Sequence, residues 1–426
     1  MNNEKYSNKS LEPHRTMHAY SRNDLERLAL GACFLASGGG GTLQSARNLL
    51  SKFEKGSYYP TDNVEVISVD EVKDDGYAVV VAYIGAPAKI NNAFYPEGPV
   101  QAALQVQAAL KKEGKELKYI VPVETGALGV TVPSLVAAKL GLKVISTDGA
   151  GRAVPSLPQL TYAYAKGLSP LPAFVANQKD TATSSASDLC IKVDVDIIPI
   201  KGGVTDEFNQ SRIVDEFMRP VISESAFGQF GGLALWIMDP AQLQAALPIR
   251  NTWLKASFCG ALLSFEANSG PLIKYLNNSL HLSARSIFGP GKLSVPDAST
   301  QTGKGGFDFG KIQITDNSNA KRVCTVLYQN ETLVAYVDEK NALCGAPDSI
   351  AYFMEKAVAS EQRVFSNEDL LTEDGKLRED IMNRDFSLIG IPGDPVLWNT
   401  LGIKDGFKNL ITNLGYTGTW QRLPQE

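Results

Sequence analysis

Histidine is scarce in this chain, with three in 426 residues: His14, His18 and His281. Two of the three sit in a polar N-terminal stretch. A zinc centre built on several imidazoles is therefore excluded, and any metal would lean on carboxylates. Cysteine is also sparse. Cys33, Cys190, Cys259, Cys324 and Cys344 form no CxxC pair and are odd in number. That argues against a disulfide framework or a thiolate zinc site and fits a reducing compartment. With no histidine nearby in sequence, each reads as a small buried hydrophobe rather than a nucleophile. No apolar run approaches the roughly 20 residues of a membrane span. The first residues lack the apolar core of a secretory signal, so a cytoplasmic location is expected. A formal net charge of −5 supplies no global field toward nucleic acid or anionic lipid. A small-molecule partner is the expectation, with neither nucleic acid nor membrane.

The composition, 44% hydrophobic and 20% charged, is that of a globular protein, and the length suits two domains. Residues 1–20 read as a flexible polar tail. Residues 21–175 read as an α/β domain with a mainly parallel sheet, because helical and strand patterns alternate. "SRNDLERLALGACFLAS" opens on a Ser21 N-cap, and "TLQSARNLLSKF" is a second helix. "VEVISV", "YAVVVAYIG", "KYIVPV" and "KVIST" are strands, with "PVQAALQVQAALKKEG" and "TVPSLVAAKLG" as crossover helices. Residues 176–288 read as a mixed α/β connecting region packed on the first domain. There "DIIPIKGG" looks strand-like, and "ESAFGQFGGLALWIMD" reads as glycine-rich turns mixed with helical pieces. Residues 289–426 read as a β-rich C-terminal domain.

Between the first two helices stand four consecutive glycines, Gly38, Gly39, Gly40 and Gly41. A dinucleotide fingerprint needs a strand before GxGxxG, and here a helix precedes. A P-loop needs Lys after its last glycine, and here Thr42 and Leu43 follow. No nucleotide cofactor is expected. Glycines still admit positive φ and a close backbone approach, and these lead into a helix N-terminus, so a ligand-contacting loop is the reading.

In open α/β sheets, ligands sit outside the carboxyl ends of the strands. Those ends read "YIGAPAK", "VPVETGALG" and "STDGAGRAVP". Two begin with an acid, Glu124 and Asp148. Each is poised for acid–base work or a polar substrate, or else caps a helix and fixes a turn. Arg152 either neutralises Asp148 or clamps a substrate carboxylate. Asn330 and Glu331 interrupt apolar strand sequence, as a hairpin turn would. Asp348 in "GAPDSI" reads as a turn and His281 as an ordinary helix histidine.

The series "SGGGG" at 37–41, "GAP" at 85–87, "VPVETG" at 121–126, "TDGAGRAVP" at 147–155, "QNE" at 329–331 and "APD" at 346–348 resembles the DUF917 family, associated with S-methyl thiohydantoin desulfurases. The likeness runs from about Asp24 to the C-terminus. It implies an α/β N-terminal domain, a β-rich C-terminal domain and hydrolysis of a small ring, with water replacing a methylthio group to leave a hydantoin. It makes Asp148 and Glu124 the candidate base or metal ligands, should a divalent metal take part. Arg152, Gly38, Gly39, Gly40, Gly41, Gly85, Gly126, Asn330 and Glu331 become candidate substrate contacts. Hydantoinase-type enzymes become candidate partners, and a homodimer is the general expectation for an enzyme of this size. The alternatives are a non-catalytic accessory subunit of a hydantoinase-type complex and a carboxylate-dependent metalloenzyme on another polar metabolite. The chain departs from the family pattern at Thr125-Gly126-Ala127 and at Ser156, where the family carries an acid.

Overall fold

A computed structural model describes residues 19–425 except 73–75, 86–89, 91–92, 181–184, 198–205, 248, 297–300, 304–306 and 359–360. The expected tail up to residue 18, with His14 and His18, lies outside the described residues. So do Ala86 and Pro87 of "GAP" and most of "DIIPIKGG".

The first part runs β1 (Ala19–Ser21), α1 (Arg22–Leu35), α2 (Leu43–Ser51), β2 (Asn63–Ile67), β3 (Tyr77–Gly85), α3 (Glu97–Lys112), β4 (Leu117–Pro122), α4 (Ala127–Leu140), β5 (Lys143–Ile145), β6 (Thr147–Asp148), β7 (Ala173–Asn177), β8 (Lys179–Asp180), β9 (Ser185–Ala186), β10 (Cys190–Val193), α5 (Glu207–Ser223), β11 (Phe230–Met238), α6 (Pro240–Ala245), β12 (Ile249–Arg250), α7 (Thr252–Leu263) and α8 (Ser269–Leu280). Ser21 caps α1 in a full capping box with Asp24, and Thr42 caps α2 through the Ser45 amide.

Eight strands form one sheet in the order β1-β2-β5-β4-β3-β11-β7-β10. The neighbours β2, β5, β4 and β3 are parallel, joined by helical crossovers. Beyond β3 the additions β11, β7 and β10 are antiparallel. Strand β11 corrects the turn-and-helix reading of "ESAFGQFGGLALWIMD". Lying between β3 and β7, it is buried almost throughout, so it shows no alternation. Helix α4 is apolar nearly all round because it is covered nearly all round, by α1, α2, α3 and the sheet.

The second part runs β13 (Arg285–Ser294), β14 (Gln301–Gly303), β15 (Phe307–Asp316), β16 (Asn319–Gln329), β17 (Glu331–Tyr336), β18 (Ala342–Gly345), β19 (Ser349–Met354), β20 (Val364–Phe365), α9 (Asn367–Leu370), β21 (Asp385–Ile391), α10 (Pro395–Asn399) and α11 (Leu401–Asn413). Its nine strands make an antiparallel sheet in the order β18-β17-β16-β15-β13-β21-β19-β20, with β14 on β15. The architecture is thus an α/β domain carrying a parallel run, followed by a β-rich domain.

Apolar side chains gather on both faces of the first sheet and inside the second. Helix α11 belongs to the first domain's packing: Ile403, Phe407 and Ile411 share a core with Val80, Val121 and Ile145 of the first sheet.

Candidate active site

Strands β3 and β4 run parallel with Val81 beside Pro122, the last residue of β4, and the chain beyond β4 carries Glu124 one residue past Val123. A cavity of about 120 Å³ opens there. Its apolar wall includes Ala82, Ile84, Val123, Leu128 and Leu233. Its polar groups are Glu124 from the first domain, Asp215 and Arg219 from α5, and Asn330 and Glu331 from the β16–β17 hairpin. Gly40, Gly41 and Gly85 complete the rim. The cavity therefore has a two-domain wall, with an acidic side and a basic group on α5.

Glu124 receives the Val154 amide on Oε2 at 2.7 Å. Burial outweighs that bond and, with the negative charge of Asp148, raises the carboxyl to about 8. Glu331 is 3% exposed. Burial first, and then the charge of Glu124, hold its carboxyl well above the usual range, although the Gly40 amide bonds to it. Its Oε2 has no hydrogen-bond partner. Behind it, on α9, both carboxyl oxygens of Glu368 are buried without a partner, and burial raises that group too. A buried polar atom left unpaired is costly and calls for a reason in chemistry.

Asn330 has φ 54° and forms the turn of its hairpin, and its side chain accepts the Asp308 amide at 2.8 Å. It also borders the cavity, so the turn reading and the cavity position coincide.

Asp148 is not among the cavity-lining residues. It is 1% exposed and accepts the Thr125 hydroxyl at 2.5 Å and the amides of Ala150 at 2.9 Å and Gly151 at 2.5 Å. The Gly149 amide donates to Val123 O at 3.0 Å. Asp148 thus ties the loop after β6 to the loop that carries Glu124.

Arg152 also turns away from the cavity. Its Nε donates to Ala153 O at 2.9 Å, Nη1 to Asp348 O at 2.7 Å and Nη2 to Thr332 O at 3.0 Å. The guanidinium carbon sits 5.2 Å from the Phe407 ring centre. Burial lowers it to about 10, against the opposing pull of Glu331 and other acids. It fastens the first domain to two carbonyls of the second, and does not supply the cavity's cation.

That cation is Arg219. Its Nε donates to Asp215 Oδ2 at 2.8 Å, and Nη2 to Asp215 Oδ1 at 3.1 Å and Pro155 O at 3.0 Å. Its guanidinium carbon stands 3.8 Å from the Phe307 ring centre. Ser156, on the cavity wall, hydrogen-bonds Gln159.

The four glycines divide their contacts between the domains. Ser37 O accepts the Thr332 amide at 2.6 Å, and Gly38 O accepts the Asn367 amide at 2.7 Å, both from the second domain. Gly39 lies against the Glu331 side chain. Gly40 O accepts the Leu128 amide at 2.9 Å at the start of α4. Gly40 has φ +68°, and a Cβ there would come within 2.6 Å of the Gly126 Cα. No side chain but hydrogen is admitted. Gly126 is the N-cap of α4 and packs on Gly40, and it does not line the cavity. The loop is a seam between the domains, with Gly40 and Gly41 at the cavity edge.

Among the described residues no group of three or more His, Cys, Asp and Glu side chains is arranged to hold a metal ion, and the five cysteines are free. Asp215, Arg219 and Glu368 are absent from the sequence-based candidates. Asp215 and Arg219 stand four apart on a helix, which in sequence is the pattern of any solvated ion pair. No helix among the described residues is long and apolar enough to cross a membrane.

Family models match at both halves of the chain: the S-Me-THD-like N-terminal domain at residues 23–186 and the S-Me-THD-like C-terminal domain at residues 209–378. The chain belongs to the S-Me-THD-like family. It is also similar to a protein from Chromobacterium violaceum known from an X-ray crystal structure, at 42% identity. That likeness covers 95% of this chain and 100% of the other, with a TM-score of 0.83. Comparison with curated proteins finds no match.

Proposed function

We propose that this S-Me-THD-like protein is a hydrolase that replaces a methylthio group on a small hydantoin-like ring with the oxygen of water. The observation that carries the reading is Glu124, a carboxyl raised to about 8 on the wall of a small cavity at the strand ends. A group of that proton affinity takes a proton from water more readily than an ordinary carboxylate, and the thiol leaves once oxygen has added to the ring carbon. The α4 N-terminus borders the cavity at Leu128 and Gly129 and has no side-chain cap, so its positive end favours negative charge developing there. Arg219 gives a substrate carboxylate a partner, in place of the Arg152 of the sequence-based expectation. Asp148 acts by holding the Glu124 loop.

The test is thiol release from a synthetic S-methyl thiohydantoin propionate. Wild-type protein should release methanethiol. Glu124→Gln, folded to the same extent, should be slower by about 10²–10⁴-fold. Folded wild-type protein that releases no thiol would overturn the reading.

A further inference from the structure

Of the three carboxyls on this cavity Asp215 is paired with Arg219; one of the other two suffices to activate water, and the remaining one comes from the second domain. Glu331 heads β17 at the tip of the β16–β17 hairpin and reaches the cavity wall that also holds Glu124. The hairpin is held there by the domain seam. The Thr332 amide donates to Ser37 O at 2.6 Å, Ser37 Oγ to Thr332 O at 2.9 Å, and Arg152 Nη2 to the same carbonyl at 3.0 Å. A carboxyl so fixed, with Oε2 unpartnered beside a cavity, is arranged to use that oxygen on something that enters.

We propose that Glu331 is the catalytic acid of this site and shares one proton with Glu124 across the domain seam. The inference rests on the hydrolytic reading above. The working form of the pair holds one proton, with Glu124 ionised and Glu331 protonated, and it grows in as pH rises toward about 8. Glu124 takes a proton from water as the water oxygen bonds to the ring carbon. The carbon–nitrogen π pair moves onto the ring nitrogen, which takes the Glu331 proton. The intermediate then holds one hydroxyl and one methylthio group on that carbon. Glu331 removes the hydroxyl proton as the carbonyl forms, the carbon–sulfur bond breaks, and the thiolate takes the proton held by Glu124. Water is consumed, methanethiol and a ring carbonyl are formed, and the pair again holds one proton.

The surroundings favour a pair with one proton. Glu124 faces Asp148 and Arg152 besides the Val154 amide. Glu331 faces Glu124 and Arg152, and stands close enough to Glu368 of α9 to raise that carboxyl. Asp215 and Arg219 of α5, paired with each other, line the same cavity. Three buried carboxyls near one buried guanidinium cannot all ionise cheaply, and two that interact titrate as a pair.

The experiment compares wild type, Glu331→Gln and Glu331→Asp. The rate of thiol release is measured against pH, and infrared difference spectra across pH report protonated carboxyls without any substrate. Wild type should give a bell-shaped profile. Glu331→Gln should lose the alkaline limb and about 10²-fold or more in rate, with Glu331→Asp recovering part of both. Above about pH 8 the protonated-carboxyl band, to which buried Glu368 also contributes, should be weaker by one carboxyl in Glu331→Gln than in wild type. An unchanged alkaline limb in Glu331→Gln, or an unchanged band, overturns the proposal. So does a stoichiometric divalent ion found by elemental mass spectrometry whose loss accompanies Glu331→Gln. If wild type releases no thiol, the hydrolytic reading fails, and with it the acid role, while the infrared band alone decides whether the pair shares a proton.

Discussion

At Glu124 the folded protein holds a proton that the unfolded chain gives up near pH 4.5, the ordinary value, while the folded group lets go near 8. A raised carboxyl favours the fold most fully below the unfolded value. That advantage is lost as pH climbs through the folded one. Wild-type melting temperature should therefore decline between about pH 4.5 and 8. Glu124→Gln, with no proton to lose, should show a flatter profile and be more stable than wild type above that window, by a few kcal/mol at most. Thermal scans across pH check this; parallel profiles would refute it. Asp148 makes a different case. Its three partners are all donors, and an asparagine in its place offers one acceptor oxygen and turns an NH₂ toward them. Asp148→Asn should cost about 2–3 kcal/mol in urea denaturation. The molecules that remain folded should release thiol within an order of magnitude of wild type. A loss as deep as that of Glu124→Gln would return Asp148 to the chemistry.

Among the elements, the four-glycine loop joins α1 to α2 and is clasped by β17, α9 and α4. Gly40→Ala would force a left-handed φ on alanine and drive its Cβ into the Gly126 backbone. The expected result is a loss of about 2–4 kcal/mol and of thiol release together, read by calorimetry and assay on one preparation. Alanine at Gly114, where the φ is also positive but nothing crowds the position, isolates the φ contribution. The capped start of α1, the parallel strands and their crossover helices are legible in the sequence, since capping and periodicity are local. Strand β11 is not, because burial on both faces removes its alternation. In the site, Glu124 is legible as an acid leaving a buried strand. Arg219 and Glu368 are not, since they arrive on helices from distant stretches of chain. Asp148 and Arg152 look alike in sequence to site residues, because a fastening carboxylate and a catalytic one share residue type, glycine neighbours and position at a strand end.

On the scale of the molecule, Arg152 is one of the charged links between the domains, beside Arg363 on Leu263 O and Asp369 on the Leu43 amide. Methionine in place of Arg152 approximates its length but donates nothing to Asp348 O and Thr332 O. Arg152→Met should lower the unfolding free energy by about 3 kcal/mol, measured in urea, with Arg152→Lys restoring less than half, because an ammonium lacks the planar fork. Equal stability of the three proteins would remove Arg152 from this part. Helix α11 makes a further link, its Ile403, Phe407 and Ile411 buried with side chains of β3, β4 and β5. That arrangement bears on how the protein is made. A ribosome delivers the first sheet, with α5 and α6 already on this face, well before α11, so the share of the core that α11 completes stays open while the whole second domain is synthesised. During that interval the nascent chain is a natural client for a chaperone, and release of α11 is the event that ends the dependence.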